Sequence, residues 1–201
     1  MTLPEDAAGR AGSVPGGAAA AGGETLLADI RRLLRERAVF VGEGFLHLRA
    51  WWRDPEILGA LGPALAALHD ARPPAAEAPG GVRPTVIAGN QSSGYMLGPL
   101  VAAYLGIGFV ALRKAPGELV SALDTAPISR WEVLALDAEA LGPADRVLLV
   151  DDLVETGTQA RAARVLVERA GATWLGVSAV TAYEEYPELG VRALIRWEEL
   201  R

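Results

Sequence analysis

The 201-residue chain has no cysteine, which removes disulfides, thiolate nucleophiles and cysteine-ligated zinc from consideration. Its two histidines, His47 and His69, are too few for a histidine-rich metal site. Lysine is scarcer still, a single Lys114 against eighteen arginines. Basic residues form no run and the formal net charge is −6. Nucleic acid is therefore not expected as a partner, because a phosphate backbone needs a basic face. No stretch approaches the ~18 consecutive apolar residues that span a bilayer. Nor does a basic segment followed by an apolar one stand at the start. No membrane association is expected, and a cytoplasmic setting is the default. The length suits one α/β domain with appendages.

What is present is concentrated in one block. Val147-Leu-Leu-Val150 is a run of four apolar residues, and Asp151-Asp152 follow at once. That order predicts a strand buried on both faces that delivers two carboxylates to its exposed carboxyl end. Ligands of open α/β sheets bind there. Glu155-Thr156-Gly157-Thr158-Gln159 then offers hydroxyls and a permissive glycine before an amphipathic helix with Ala163, Leu166, Val167 and Ala170 on its apolar side. Backbone amides at such a helix start make an anion site. The acidic half suits ribose hydroxyls or a hard cation such as Mg²⁺, and the turn suits a monoester phosphate. A sugar phosphate satisfies both. Helix capping alone would explain an isolated Asp pair, but not the apolar run before it and the Thr-Gly-Thr after it.

Residues 1–23 are mostly Ala, Gly and Pro without periodicity and are expected to be a disordered tail. Residues 24–83 form an N-terminal segment and linker. In it, Thr25 reads as the N-cap of a helix that ends near Arg37, with Leu26, Leu27, Ile30, Leu33 and Leu34 on one stripe. Val39 to Leu48 reads as extended, and Asp54-Pro55 as the start of a second helix with Ile57, Leu58, Leu61, Leu65 and Leu68 on its stripe. Arg72 to Arg83 is rich in Pro, Gly and Ala and reads as a linker. Residues 84–201 form the α/β core. Strands are expected at 85–88, 107–112, 147–150, 174–180 and 191–195, with a helix from Gly94 to Leu105. Alternation of this kind implies a five-stranded, mainly parallel sheet flanked by helices with right-handed crossovers. Residues 25–70 would form a hood over its carboxyl edge. Residues 115–130 have no strong period and contain Pro116 and Pro127, so they read as a long loop and a lid.

The block at 147–159 resembles the 5-phosphoribosyl 1-pyrophosphate (PRPP) motif of type I phosphoribosyltransferases, with Gln159 standing where the motif has its last threonine. The likeness is nearest to adenine phosphoribosyltransferases. Ile87 to Ala102 looks like their Ile-Ala-Gly-x-x-x-x-Gly-aromatic-x-x-Gly-Pro stretch, and Gly108 to Lys114 is similar to the following strand, which also ends in Arg-Lys. The spacing from Leu134 to Asp151 agrees without a gap. The similarity covers about residues 85–180 and, more faintly, Phe45 to Pro55. It implies a type I phosphoribosyltransferase-like parallel sheet with an N-terminal hood, a homodimer, and Mg²⁺-assisted displacement of pyrophosphate from C1 of PRPP by a nitrogen of a purine or another planar acceptor. Asp151 and Asp152 would hold the ribose hydroxyls and metal-bound water, and Thr156, Gly157, Thr158 and Gln159 the 5-phosphate. Arg113 and Lys114, with Ser92 and Ser93 of the turn after the first strand, would meet the pyrophosphate. Phe45, His47 and Leu153 would contact the acceptor.

The chain also departs from that pattern. The pyrophosphate turn of the adenine enzymes carries Glu-Ala-Arg, and this chain has Gln91-Ser92-Ser93, one cation fewer. A basic residue expected in the lid is absent from Ala115-Pro-Gly-Glu118. The Glu-Tyr-Gly of the family falls on Ile128-Ser129-Arg130, where Arg130 restores one positive charge, and Phe-Arg-Asp in the hood is Phe45-Leu46-His47 here. Trp51 and Trp52 are either core or interface residues or a stacking platform for the acceptor. Glu155 occupies the position where hypoxanthine-guanine enzymes have an aspartate and adenine enzymes commonly have alanine. It is either an acceptor-facing proton carrier or an acidic residue favoured by a helix dipole. Loss of the turn arginine leaves a second class open, a PRPP-binding regulator without transfer, whereas Arg113, Lys114 and Glu155 favour the enzyme.

Overall fold

The computed structural model describes residues 21–42, 45–71, 83–116 and 123–200. The expected tail up to residue 20, the linker residues 72–82 and the centre of the lid, 117–122, lie outside the described residues.

Helix α1 spans Ala21–Glu36 and buries Ile30, Leu33 and Leu34. It begins before the expected cap, so Thr25 lies inside it. A small antiparallel hairpin follows, β1 (Phe40–Val41) with β2 (Phe45–Leu46), then one helical turn, α2 (Arg49–Trp52). Helix α3 (Pro55–Ala67) starts as its sequence dictates. The Asp54 carboxylate accepts from the amides of Glu56 and Ile57 at 2.9 and 3.2 Å, and proline holds the first helical position. Strand β3 (Val86–Asn90), helix α4 (Gly94–Leu105) and strand β4 (Gly108–Pro116) form the first crossover unit. Gly106 closes α4 in the left-handed conformation, φ 69°, where a side chain would be strained. Strands β5 (Leu123–Pro127) and β6 (Glu132–Asp137) precede β7 (Arg146–Val154), helix α5 (Thr158–Arg169), β8 (Thr173–Ala182) and β9 (Val191–Arg196).

The main sheet has the order β5-β6-β4-β3-β7-β8-β9. The five strands from β4 to β9 in that order are mutually parallel, while β6 runs antiparallel to β4 and β5 antiparallel to β6. The sheet thus has two strands more than expected: β5 falls within the stretch 115–130 read as a lid, and β6 follows just after it. β4 runs on to Pro116, and residues 123–127 pair with 133–137. The hairpin forms because Ala126, Leu134 and Leu136 bury themselves in the core. Pro127 is tolerated because β5 is the edge strand, where a missing N–H interrupts no second ladder.

Strand alternation divides the core into two layers. Ile87, Leu148 and Val150 face Leu61, Leu65, Leu97 and Val101 of α3 and α4. Ala88, Val147 and Leu149 face Ala163, Leu166 and Val167 of α5 on the other side. Trp51 is 1% exposed within the first layer, which settles its role as a core residue. The hood hairpin is tied to the sheet by aromatic contacts: Phe40 meets Trp197 edge-on at 6.4 Å, and Trp197 stacks on Tyr183 at 4.4 Å.

Candidate functional site

β3 pairs with β7 only as far as Val150, whereas β7 continues along β8 to Val154. Asp151 and Asp152 therefore stand where β3 ends, in the crevice from which crossovers depart in opposite directions, the usual ligand position of such sheets. A cavity of about 280 Å³ opens there.

One wall is the turn after β3, where Gln91, Ser92 and Ser93 line the cavity. Three glycines let α4 start this close to the sheet. A Cβ on Gly89 would lie 2.3 Å from the Gly94 carbonyl oxygen, one on Gly94 2.9 Å from that of Val150, and one on Gly98 2.4 Å from the Phe109 ring. The Gln91–Ser92 peptide bond is cis. Lys114 donates its amide N–H to Gln91 Oε1 at 3.0 Å, which fixes this turn to β4.

The floor is β7. Asp151 is 9% exposed and Asn90 1%. Asn90 Nδ2 donates to Asp151 Oδ2 at 3.0 Å, and the Asp152 amide donates to Asp151 Oδ1 at 3.0 Å. Burial, with the neighbouring Asp152 charge second, pushes the Asp151 carboxyl up to about 8, against the lowering effect of the Asn90 bond. Asp152 and Leu153 are half-buried and line the cavity, as does Glu155.

The far wall is the turn Thr156–Gln159, all four residues of which line the cavity. Gly157 is left-handed, φ 71°, and caps α5. The hydroxyls of Thr156 and Thr158 are 2.9 Å apart. The first amides of a helix have no intrahelical acceptor, so this turn presents donors at the positive end of α5. Glu155 lies before the cap, outside the first turn of α5, which carries no acidic residue. A helix-dipole role consequently has little basis.

Of the residues singled out in the sequence, Ser92, Ser93, Lys114, Asp151, Asp152, Leu153 and Glu155 meet the Thr156–Gln159 turn around one cavity. Arg113, Phe45 and His47 do not line it. Strand alternation accounts for this. Leu112 is buried and Lys114 shares its face, which turns Arg113 to the opposite face. In the hood, Leu46 and Leu48 pack against the core, so Phe45, 71% exposed, and His47 turn to solvent, and Leu48 is the hood residue at the cavity. Neither tryptophan of the hood lines it. Sequence reasoning missed Asn90 and Leu48. A polar residue ending the apolar run Val86-Ile-Ala-Gly was the available signal for Asn90.

Among the described residues Lys114 is the one cation that lines the cavity, which the carboxylates of Asp151, Asp152 and Glu155 also line. Among the described residues no group of three or more His, Cys, Asp or Glu side chains is placed to hold a metal by itself. No described helix is long and apolar enough to cross a membrane.

No protein-family model matches the chain. It is 41% identical over 118 residues to an adenine phosphoribosyltransferase of Paracidovorax citrulli, covering 57% of this chain and 62% of the relative. It is 36% identical over 129 residues to an adenine phosphoribosyltransferase of Synechococcus, covering 58% of this chain and 73% of the relative. The match thus spans about three fifths of the first relative's length. Among solved structures, the adenine phosphoribosyltransferase of Trypanosoma brucei in complex with AMP, pyrophosphate and ribose 5-phosphate superposes with a TM-score of 0.71 at 19% identity, covering 86% of this chain and 81% of that one. That likeness concerns the fold.

Proposed function

The chain belongs to the adenine phosphoribosyltransferase family of type I phosphoribosyltransferases, and from that premise we propose that it transfers the 5-phosphoribosyl group of PRPP to a ring nitrogen of a purine or related planar acceptor, with release of pyrophosphate. The observation that carries this reading is the meeting of Asp151, Asp152, the Thr156–Gln159 turn and Lys114 around one cavity. The relatives' name makes adenine the first acceptor to test.

In this reading the turn amides and the Thr156 and Thr158 hydroxyls take the 5-phosphate, and Asp152, with Asp151 behind it, takes the ribose hydroxyls. Lys114, Ser92 and Ser93 take the pyrophosphate. The acceptor lies against Leu153 and Leu48. The new bond forms between the acceptor nitrogen and C1 as the bond from C1 to the pyrophosphate oxygen breaks. The departing electron pair stays on pyrophosphate, and the proton of the acceptor N–H passes to Glu155. Mg²⁺ fits this wall. Three carboxylates and one lysine do not neutralise a pyrophosphate, and Mg²⁺ binds through one or two carboxylates together with substrate phosphates and water. Asp151 and Asp152 would hold it, and when bound it screens the charge of the leaving group. A homodimer and a cytoplasmic setting belong to the same proposal.

A second reading keeps PRPP binding and drops transfer. It is favoured by one observation, the absence of an arginine from Gln91-Ser92-Ser93. Following pyrophosphate release with PRPP, Mg²⁺ and a panel of acceptors separates the two.

A further inference from the structure

The turn assigned to the 5-phosphate is held from behind by a segment to which the reaction gives no part. Tyr186, in the connection between β8 and β9, donates its hydroxyl to the Glu155 carbonyl at 2.5 Å. Arg161 of α5 donates Nη1 to the Thr156 carbonyl at 2.9 Å. Its Nη2 pairs with Glu188 at 2.9 Å, and its guanidinium lies over the Tyr186 ring, 5.5 Å from the centroid. Arg164 binds the Glu188 carbonyl at 2.5 Å. Tyr186 is 8% exposed, so its hydroxyl has little competition from water.

These two bonds fix peptide planes as well as side chains. In a trans peptide the carbonyl of one residue and the N–H of the next point in opposite directions. Drawing the Glu155 and Thr156 carbonyls back towards Tyr186 and Arg161 therefore turns the Thr156 and Gly157 amides the other way, towards the cavity that both residues line. The contact is close: a Cβ on Gly157 would lie 3.2 Å from Arg161 Nη1 and from the Tyr186 ring. Gly157 thus admits the brace and supplies the left-handed backbone.

We propose that Tyr186 and Arg161 are positioning residues that hold two backbone amides aimed at the 5-phosphate. The inference rests on the reading above, in which this turn takes that phosphate. It differs from a purely structural role, in which the same contacts only pin the segment 186–188 to α5.

The experiment measures binding of three probes by calorimetry in the presence of Mg²⁺: PRPP, ribose 5-phosphate and pyrophosphate. The proteins are wild type, Tyr186→Phe, which keeps the ring and loses the donor, and Arg161→Ala. The expected result is a loss of about tenfold in affinity for PRPP and ribose 5-phosphate in each variant, the size that one orienting hydrogen bond gives. Pyrophosphate affinity should stay within about twofold of wild type. If all three probes bind the folded variants as they bind wild type, or all three weaken in parallel with the melting temperature, the inference is overturned while the proposed function stands. A wild type that binds none of the probes overturns the proposed function, and this inference with it.

Discussion

Asn90 and Asp151, both buried, meet at the carboxyl ends of β3 and β7, amide Nδ2 to carboxylate Oδ2 at 3.0 Å, with Asp151 on the cavity floor. Both Asp151 oxygens thereby have a donor, the other being the Asp152 amide. The bond fixes the orientation of the carboxylate and resists the effect of burial on its ionisation.

Asn90→Leu should lower PRPP affinity by about tenfold and destabilise the fold by ~1–3 kcal/mol, the cost of a buried acceptor left without its donor. Calorimetry with PRPP and Mg²⁺ and a denaturant melt of the same protein check both. An unchanged affinity with lowered stability would confine Asn90 to folding.

Stability should depend on pH through Asp151. Its carboxyl is pushed up to about 8 in the folded chain, against about 4 for an ordinary aspartate in the unfolded one. Between these values the folded state retains a proton that the unfolded state has released, so stability falls as pH rises through the window. Asp151→Asn cannot titrate. The melting temperature of wild type relative to this variant should drop by several degrees between pH 5 and pH 8 without ligand. Parallel curves would contradict the assignment.

Gly89→Ala should be among the most damaging single changes, because the added Cβ would sit 2.3 Å from a backbone oxygen of Gly94 that cannot move aside. A loss of ~3 kcal/mol or more is expected, at the upper end of overpacking effects, seen as a lowered melting temperature. A Gly59→Ala control, where a Cβ meets nothing within 4 Å, should melt at or above the wild-type temperature.

Glu155→Gln should lower turnover by ~10²-fold or more while PRPP affinity stays near wild type, because the residue faces the cavity but lies outside the phosphate turn. An unchanged turnover number would remove the proton-transfer role and leave transfer itself in place.

The sheet around the site was legible because its strands are strongly apolar and its turns carry particular residues. Val147–Val150 with Asp151-Asp152 reads as a buried strand that delivers two carboxylates, and the Gly89, Gly94 and Gly98 series is legible through the family resemblance. The hairpin of residues 123–137 was not legible as such. Leu123-Asp-Thr-Ala-Pro127 mixes polar residues and a proline, and only its pairing with β6 at the sheet edge makes it a strand. The hood was read in outline but not in facing. Local sequence does not say whether Phe45 or Leu46 turns inward, and that choice is made by the packing of Leu46 against the first core layer. Asn90 escaped notice for a related reason: its importance comes from Asp151, sixty-one positions away in the chain.

Pyrophosphate release decides between transfer and PRPP binding alone. Wild-type protein with PRPP and Mg²⁺ is expected to release pyrophosphate only when a suitable planar acceptor, adenine first, is added, and the Asp151→Asn, Asp152→Asn double variant is expected to release none. A wild type that binds PRPP tightly yet releases no pyrophosphate with any member of a broad acceptor panel would contradict transfer and favour the regulator.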